Sequence, residues 1–325
     1  MSIYFIRAGL QTSIQDYGRP GLMHYGISQG GAADLLSMKL ANLLLGNTLN
    51  NPVMEITLTG PLIEFDCDVS IAITGARFKT LLNNNPIENY KVIQIKSGDI
   101  LEFSHLLSGA RAYIGLSATI SVPQILNSAS THLISGFGGH KSGAIEQGER
   151  VHLENIRIAK EAQLERELIP NYRLRPLIRV VHGAESQRFP QSALDNFFAT
   201  TFQVSAQSNR MGIRLSPSII PEPEGLEDIS GEMVSSGLYP GSIQIPSNGE
   251  PIISFIEGQT IGGYPRLAHV IRADLHRLGQ LKAQDKINFQ LVSPAQARLI
   301  LQKKNKLLAK LQNRMESEAR EALTI

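Results

Sequence analysis

Four charged side chains, Asp16, Arg19, His24 and Asp34, are strung through one glycine-rich stretch, residues 13–34. Gly18, Pro20, Gly21, Gly26, Gly30 and Gly31 break any helical or strand period there. Such a loop lets backbone approach a ligand closely while charged groups orient it. A second set lies in the other half of the chain: Ser208, Arg210, Arg214, Gln244, then Gln259, Thr260, Gly262, Gly263, Tyr264 and Arg266. Guanidinium forks suit a carboxylate or a developing phosphoryl charge. Glycine backbone N–H groups suit an oxyanion, and Gln259 and Thr260 supply neutral donors and acceptors. Asp16, Arg19, Arg210, Gln259, Thr260, Tyr264 and Arg266 are therefore the expected catalytic groups. Ser28, Gly30, Gly31, Ser208, Arg214, Gln244, Gly262 and Gly263 are the expected substrate-binding groups. A plainer reading stands beside this one: Asp16–Arg19 as a turn-stabilising ion pair, Asp34 as a helix cap, and 258–266 as a tight turn. No Ser-His-Asp set and no metal-ligand spacing is visible, so no nucleophile and no protein-bound metal is expected.

The elements that position these residues are mostly strands. Residues 2–7 alternate and read as a strand. Asp34 precedes an apolar run, 35–45, that reads as a helix with Asp34 at its N-cap and Gly46 past its end. Short strands follow at 53–58, 62–65, 69–73, 79–82, 91–95, 100–103 and 111–114, with turn residues between them. That spacing predicts an antiparallel sandwich or barrel, not a doubly wound sheet. Residues 136–143 invite a phosphate-loop reading, but His140 stands where a P-loop needs glycine before its lysine. Only a weaker cradle for an anion remains there.

The second half opens with strand 177–181, a helix at 192–198 and strand 201–204, and later carries a helix-like stretch, 267–279. It echoes the first half. Residues 207–212 follow a strand as 15–21 do, and 281–289 resemble 95–103, in the same order. Two related β domains are expected, with a ligand cleft formed from two half-sites. The expected division is 1–153 and 177–292 as β domains, 154–176 as connector, and 293–325 as a C-terminal helix. In that helix Ile300, Leu307, Leu308, Leu311 and Met315 form an apolar stripe. It packs on its own domain or on a neighbouring protomer, and so offers a homo-oligomer contact.

Composition excludes several classes. A chain of 325 residues exceeds one ordinary core. The net charge of +2 gives no field for nucleic acid or an anionic membrane surface. The single cysteine, Cys67, cannot form an intrachain disulfide and reads as a buried apolar residue. No run approaches the ~20 apolar residues that span a bilayer. A soluble, cytoplasmic protein is expected.

Several motifs occur in a fixed order: 15–21 (QDYGRPG), 30–34 (GGAAD), 55–61 (EITLTGP), 136–139 (GFGG), 208–215 (SNRMGIRL) and 259–265 (QTIGGYP). From about residue 3 to about 292 the chain resembles the biotin-dependent carboxyltransferase family, also called the allophanate hydrolase subunit 2 family. The resemblance implies two cyclophilin-like β-barrel domains related by pseudo-twofold symmetry. Free-standing bacterial members include the C component of ATP-dependent 5-oxoprolinase. That membership implies a direct partner, the 5-oxoprolinase B component, and a further A component. Together they would cleave 5-oxoproline to glutamate with ATP and Mg²⁺ as cosubstrate. Phosphorylating the lactam oxygen would turn it into a leaving group. Fused relatives carry carboxyl groups from carboxybiotin to urea, and another antagonises an inhibitor of a histidine kinase. This sequence departs from the family at Asn209, where aspartate is usual, at Glu257-Gly258, at Ala118-Thr119, and at Arg266, where lysine is common. A guanidinium stays protonated, which counts against biotin chemistry. No biotin-carrying or ATP-grasp pattern is present, so the chain is expected to be active only in complex.

Overall fold

The computed structural model describes residues 1–172, 176–217 and 233–321. It is mostly β, as expected, and divides into two compact units. The first comprises residues 1–19, 30–173 and 307–325; the second comprises 20–29 and 174–306. The division corrects two expectations. Residues 154–172, read as a connector, belong to the first unit, and residues 20–29 of the early glycine-rich stretch belong to the second.

The first unit is built on a ten-stranded antiparallel sheet that curls without closing. The barrel expected there is thus half a barrel. Its longest strands, Val69–Leu82 and Ile100–Leu116, each fuse two segments expected to be separate. They pair from Ile71↔Leu116 to Leu82↔Leu101, with register breaks between Gly75 and Thr80. Ile3, Phe5, Ile14, Ile56, Phe65, Ile71 and Phe103 fill the core. Helix Leu35–Leu44 starts as expected: Asp34 accepts the Ser37 backbone N–H at 2.9 Å. The helix lies on the two long strands, and Gly115 makes room for it, since a Cβ there would sit 3.1 Å from that of Ala41. Leu308, Leu311 and Met315 of the C-terminal helix, Pro294–Glu321, pack into a cluster with Leu40, Leu43 and Tyr90. Leu299 and Leu307 stay exposed.

The second unit holds a closed barrel of seven strands. The pair Leu177–His182 and Lys286–Leu291 is parallel, and every other neighbouring pair is antiparallel. Phe197 of helix Gln191–Ala199 is buried, stacks on Phe289 at 4.7 Å and packs against Phe202 at 5.4 Å. The helix-like stretch 267–279 is a correction. Arg266–Val270 is a strand, paired on one side with Leu177–His182 and on the other with Ser242–Gln244; only Leu275–Leu278 is helical. Pairing on both edges overrides the local helical spacing.

The sequence echoes reappear as matched turn chemistry. Asp16 Oδ1 accepts the Gly18 N–H at 2.7 Å, and Asn209 Oδ1 accepts the Met211 N–H at 2.8 Å, so both are Asx turns. In the second echo the backbone N–H of Lys96 bonds Asp99 Oδ2 at 2.8 Å, and that of Lys282 bonds Asp285 Oδ2 at 3.0 Å. Gly98 and Gln284 fill the same left-handed position, at φ 89° and 71°.

Candidate functional site

In the first unit the conspicuous charged pair is internal. Asp16 is 3% exposed and Arg19 is 0% exposed. The Asp16 carboxylate accepts from the Gly18 N–H (2.7 Å), the Ser128 hydroxyl (2.6 Å) and the Ala129 N–H (2.7 Å). Arg19 donates to the Ile125 carbonyl (3.0 Å), Ser130 Oγ (3.0 Å) and the Ser130 carbonyl (2.8 Å), and its guanidinium lies 4.6 Å over the Phe137 ring. These groups fasten residues 125–131 to the glycine loop. Gly31, at φ 82°, must be glycine, because a Cβ would stand 2.6 Å from the Gly18 nitrogen. Gly30 leaves ordinary space, with His132 at 3.6 Å from such a Cβ. Ser28 is buried and falls in the second unit.

The 136–143 loop does not fit a nucleotide phosphate. Gly138 and Gly139 press against Ser130 and Thr131, where a Cβ would come within 2.4 and 1.8 Å. Lys141 is paired with Glu149 at 2.5 Å, and His140 lies 3.4 Å from the same carboxylate. Burial pushes the His140 pKa down despite that carboxylate. No group of three or more His, Cys, Asp or Glu able to hold a metal occurs among the described residues.

The second unit carries an open pocket of about 220 Å³. Arg214, Gln244, Gln259 and Tyr264 line it, four residues singled out from sequence. Asn209, Leu238, Ile252 and Ser254 complete much of the wall. The amide nitrogens of Gln244 and Gln259 both stand over Gly262. A Cβ there would come within 2.8 and 3.2 Å of them, so a side chain at 262 would push both amide ends aside. Gln244 also donates to the Tyr264 carbonyl at 3.3 Å. Ser254 is 4% exposed, and its hydroxyl has no hydrogen-bond partner among the described residues. Sequence reasoning missed it, although a serine beside Ile252 and Ile253 in a buried strand was a usable signal. Ser208 serves the turn below: its Oγ accepts the Arg214 N–H at 3.1 Å. Thr260 is buried and its carbonyl accepts the Leu238 N–H at 2.8 Å; neither it nor Gly263 lines the pocket.

The arginines divide by partner. Arg210 is buried against Glu257, and its Nε donates to Glu257 Oε1. Arg266 grips Glu185 through Nε (2.7 Å) and Nη2 (2.5 Å), while its Nη1 donates to the Gly237 carbonyl. Those bonds hold the Glu185 carboxyl below the usual range. Arg19, Arg210 and Arg266 therefore already have their hydrogen-bond acceptors within the fold. Arg214 is different: it lines the pocket with no acidic partner among the described residues.

A closed β-barrel unit and a curled-sheet unit, with an amide-lined pocket on the barrel, define a carboxyltransferase-type domain. Residues 25–291 match the carboxyltransferase domain family, subdomains A and B, and the chain belongs to that family. It is 36% identical over 314 residues to the 5-oxoprolinase C component of Escherichia coli (strain K12), covering 96% of this chain and 98% of that one. It is 33% identical over 297 residues to the 5-oxoprolinase C component of Haemophilus influenzae, covering 91% and 93%. Among solved structures it resembles the K. lactis urea amidolyase, with a TM-score of 0.87 and 28% identity, over 95% of this chain and 20% of that one. No helix among the described residues is long and apolar enough to cross a membrane.

Proposed function

We propose that this chain works as the C component of an ATP-dependent 5-oxoprolinase, a hydrolase that opens 5-oxoproline to glutamate together with the A and B components in the cytoplasm. The observation that supports it is the pocket of the second unit. A five-membered lactam bears a carbonyl, a ring N–H and a carboxylate. The Gln244 and Gln259 nitrogens are donors for the carbonyl, Ser254 Oγ is an acceptor for the ring N–H, and the Arg214 guanidinium is free to hold the carboxylate. Donors on the carbonyl oxygen also hold it in position for the activation that ATP drives. Tyr264 covers the ring with a flat face. Asp16, Arg19, Arg210 and Arg266 support the reaction by holding loops in place.

The nucleotide is assigned to the companion components, because the 136–143 loop does not fit its phosphates. The B component is the direct partner in this reading. The exposed Val234, Tyr239 and Ile261 of the second unit suit a protein interface, which must bury at least ~1,200 Å² to be stable. Self-association through Leu299 and Leu307 is a secondary contact in the same proposal. The test is glutamate release from 5-oxoproline and ATP. The A and B components with this chain should turn over, whereas those two without it, or the chain alone, should not. Equal rates with and without the chain would refute the proposal.

A second reading takes its support from the urea amidolyase of Saccharomyces cerevisiae, 33% identical over 86% of this chain but only 16% of that protein. Urea would satisfy the two carboxamides but leave Arg214 without a counter-ion. Urea as the better substrate, with no loss on Arg214→Ala, would favour that reading.

A further inference from the structure

The first unit contains a larger pocket that the proposed reaction does not use, about 590 Å³ and within the range of small-molecule sites. Three unpaired charges line it: Arg77, Arg166 and Glu88. None has an ionic partner among the described residues. Arg77 sits where the long strand pair loses register, with breaks on both sides of it and Gly75 at φ 83°. Such a bulge turns a side chain off its regular face, and bulges of this kind recur at functional sites. Arg166 enters from the opposite segment, on the short turn Arg166–Leu168. That segment is held in place: Val92 N–H bonds the Ala162 carbonyl at 2.8 Å, Leu164 N–H bonds the Tyr90 carbonyl at 2.9 Å, and Tyr172 donates to Asp34 at 2.8 Å. Phe78, Ile87, Leu164 and Pro170 supply the apolar wall. The Tyr90 hydroxyl is engaged with Gly75.

Two guanidiniums and one carboxylate around an apolar strip are the charge complement of two carboxylates and one ammonium on a short aliphatic chain. We propose that this pocket binds an acidic α-amino acid, free or at the end of a short peptide. Arg77 and Arg166 receive the carboxylates, Glu88 receives the ammonium, and the apolar wall covers the methylenes. The residues are separate from those of the lactam pocket, so binding does not depend on turnover.

Titration calorimetry of the purified chain with L-glutamate tests this. Saturable binding is expected, at least ~10-fold tighter than for glutarate, which lacks the ammonium, or L-glutamine, which lacks one carboxylate. Arg77→Gln and Arg166→Gln should each weaken L-glutamate by about tenfold, and the one of the two that removes the partner of the side-chain carboxylate should also abolish the preference over L-glutamine. Glu88→Gln should abolish the preference over glutarate. All three side chains are exposed, and unchanged melting of each variant controls for folding. A glutamyl dipeptide binding more tightly than free glutamate would assign the peptide end as the ligand. No saturable heat up to about 10 mM, equal affinity for L-glutamine, equal displacement by inorganic phosphate, or wild-type affinity in all the variants would overturn the proposal.

Discussion

Replacing Asp16 separates a reacting carboxylate from a structural one. The side chain is 3% exposed and accepts three hydrogen bonds at 2.6–2.7 Å. In Asp16→Ala the Gly18 and Ala129 N–H groups lose their acceptor inside the protein, while Ser128 can still donate to Ser130 Oγ at 2.9 Å. Two stranded backbone donors at about 1–3 kcal/mol each put the loss near ~2–6 kcal/mol. That is a large share of a folding stability of roughly 5–15 kcal/mol. Asp16→Asn is the milder probe. It keeps one acceptor oxygen but turns an NH₂ toward the Ala129 N–H or the Ser128 hydroxyl, costing about 1–3 kcal/mol. Urea unfolding of the purified chain reads this as a lower midpoint at unchanged slope. The order of effects is fixed as well: kcat of the reconstituted enzyme should fall only as far as the folded fraction falls. Asp16→Asn with wild-type stability but lost turnover would refute the structural assignment and make Asp16 a reacting group.

Four further single substitutions have expected outcomes. Gln284 holds φ 71° where the matching turn has Gly98, so Gln284→Gly should stabilise the protein by up to about 1 kcal/mol in thermal or urea unfolding. Ser254→Ala removes a buried hydroxyl without a partner and should leave stability equal or slightly raised, while Arg214→Ala should leave it unchanged; both should raise KM for 5-oxoproline more than they lower kcat, Arg214→Ala by about tenfold. Asp274 is buried, which alone would raise its pKa from the ordinary 3.8, but Arg179 donates to it through Nε (2.8 Å) and Nη2 (2.6 Å) and the net shift is downward. Its pair therefore stabilises the fold above about pH 4 and stops doing so as pH falls through the lowered folded value; Asp274→Asn should flatten that acid limb in urea midpoints measured between about pH 2 and 6, and an unchanged limb would assign it elsewhere.

Local chemistry was legible in the chain itself. A carboxylate three residues ahead of Ser37 caps a helix, Asp16 and Asn209 make Asx turns, and Lys96–Asp99 and Lys282–Asp285 close matching turns. Each depends on partners within three residues, so spacing alone specifies it. The β content followed from the same local signals, and the ordered motifs identified the family. Tertiary structure decided which polar residues remain available to a ligand. Arg19, Arg210 and Arg266 look alike in sequence to Arg214, yet their acceptors come from Ser130, Glu257 and Glu185, 111, 47 and 81 residues away. Those acceptors are brought close only when the strands pair. The same long-range pairing fused the segments of Val69–Leu82 and Ile100–Leu116, and made Arg266–Val270 a strand. It also buried Ser254, without a partner among the described residues, in the pocket that two carboxamides line. A sequence specifies which groups the chain carries, but whether a charge is neutralised depends on distances fixed by the folded backbone.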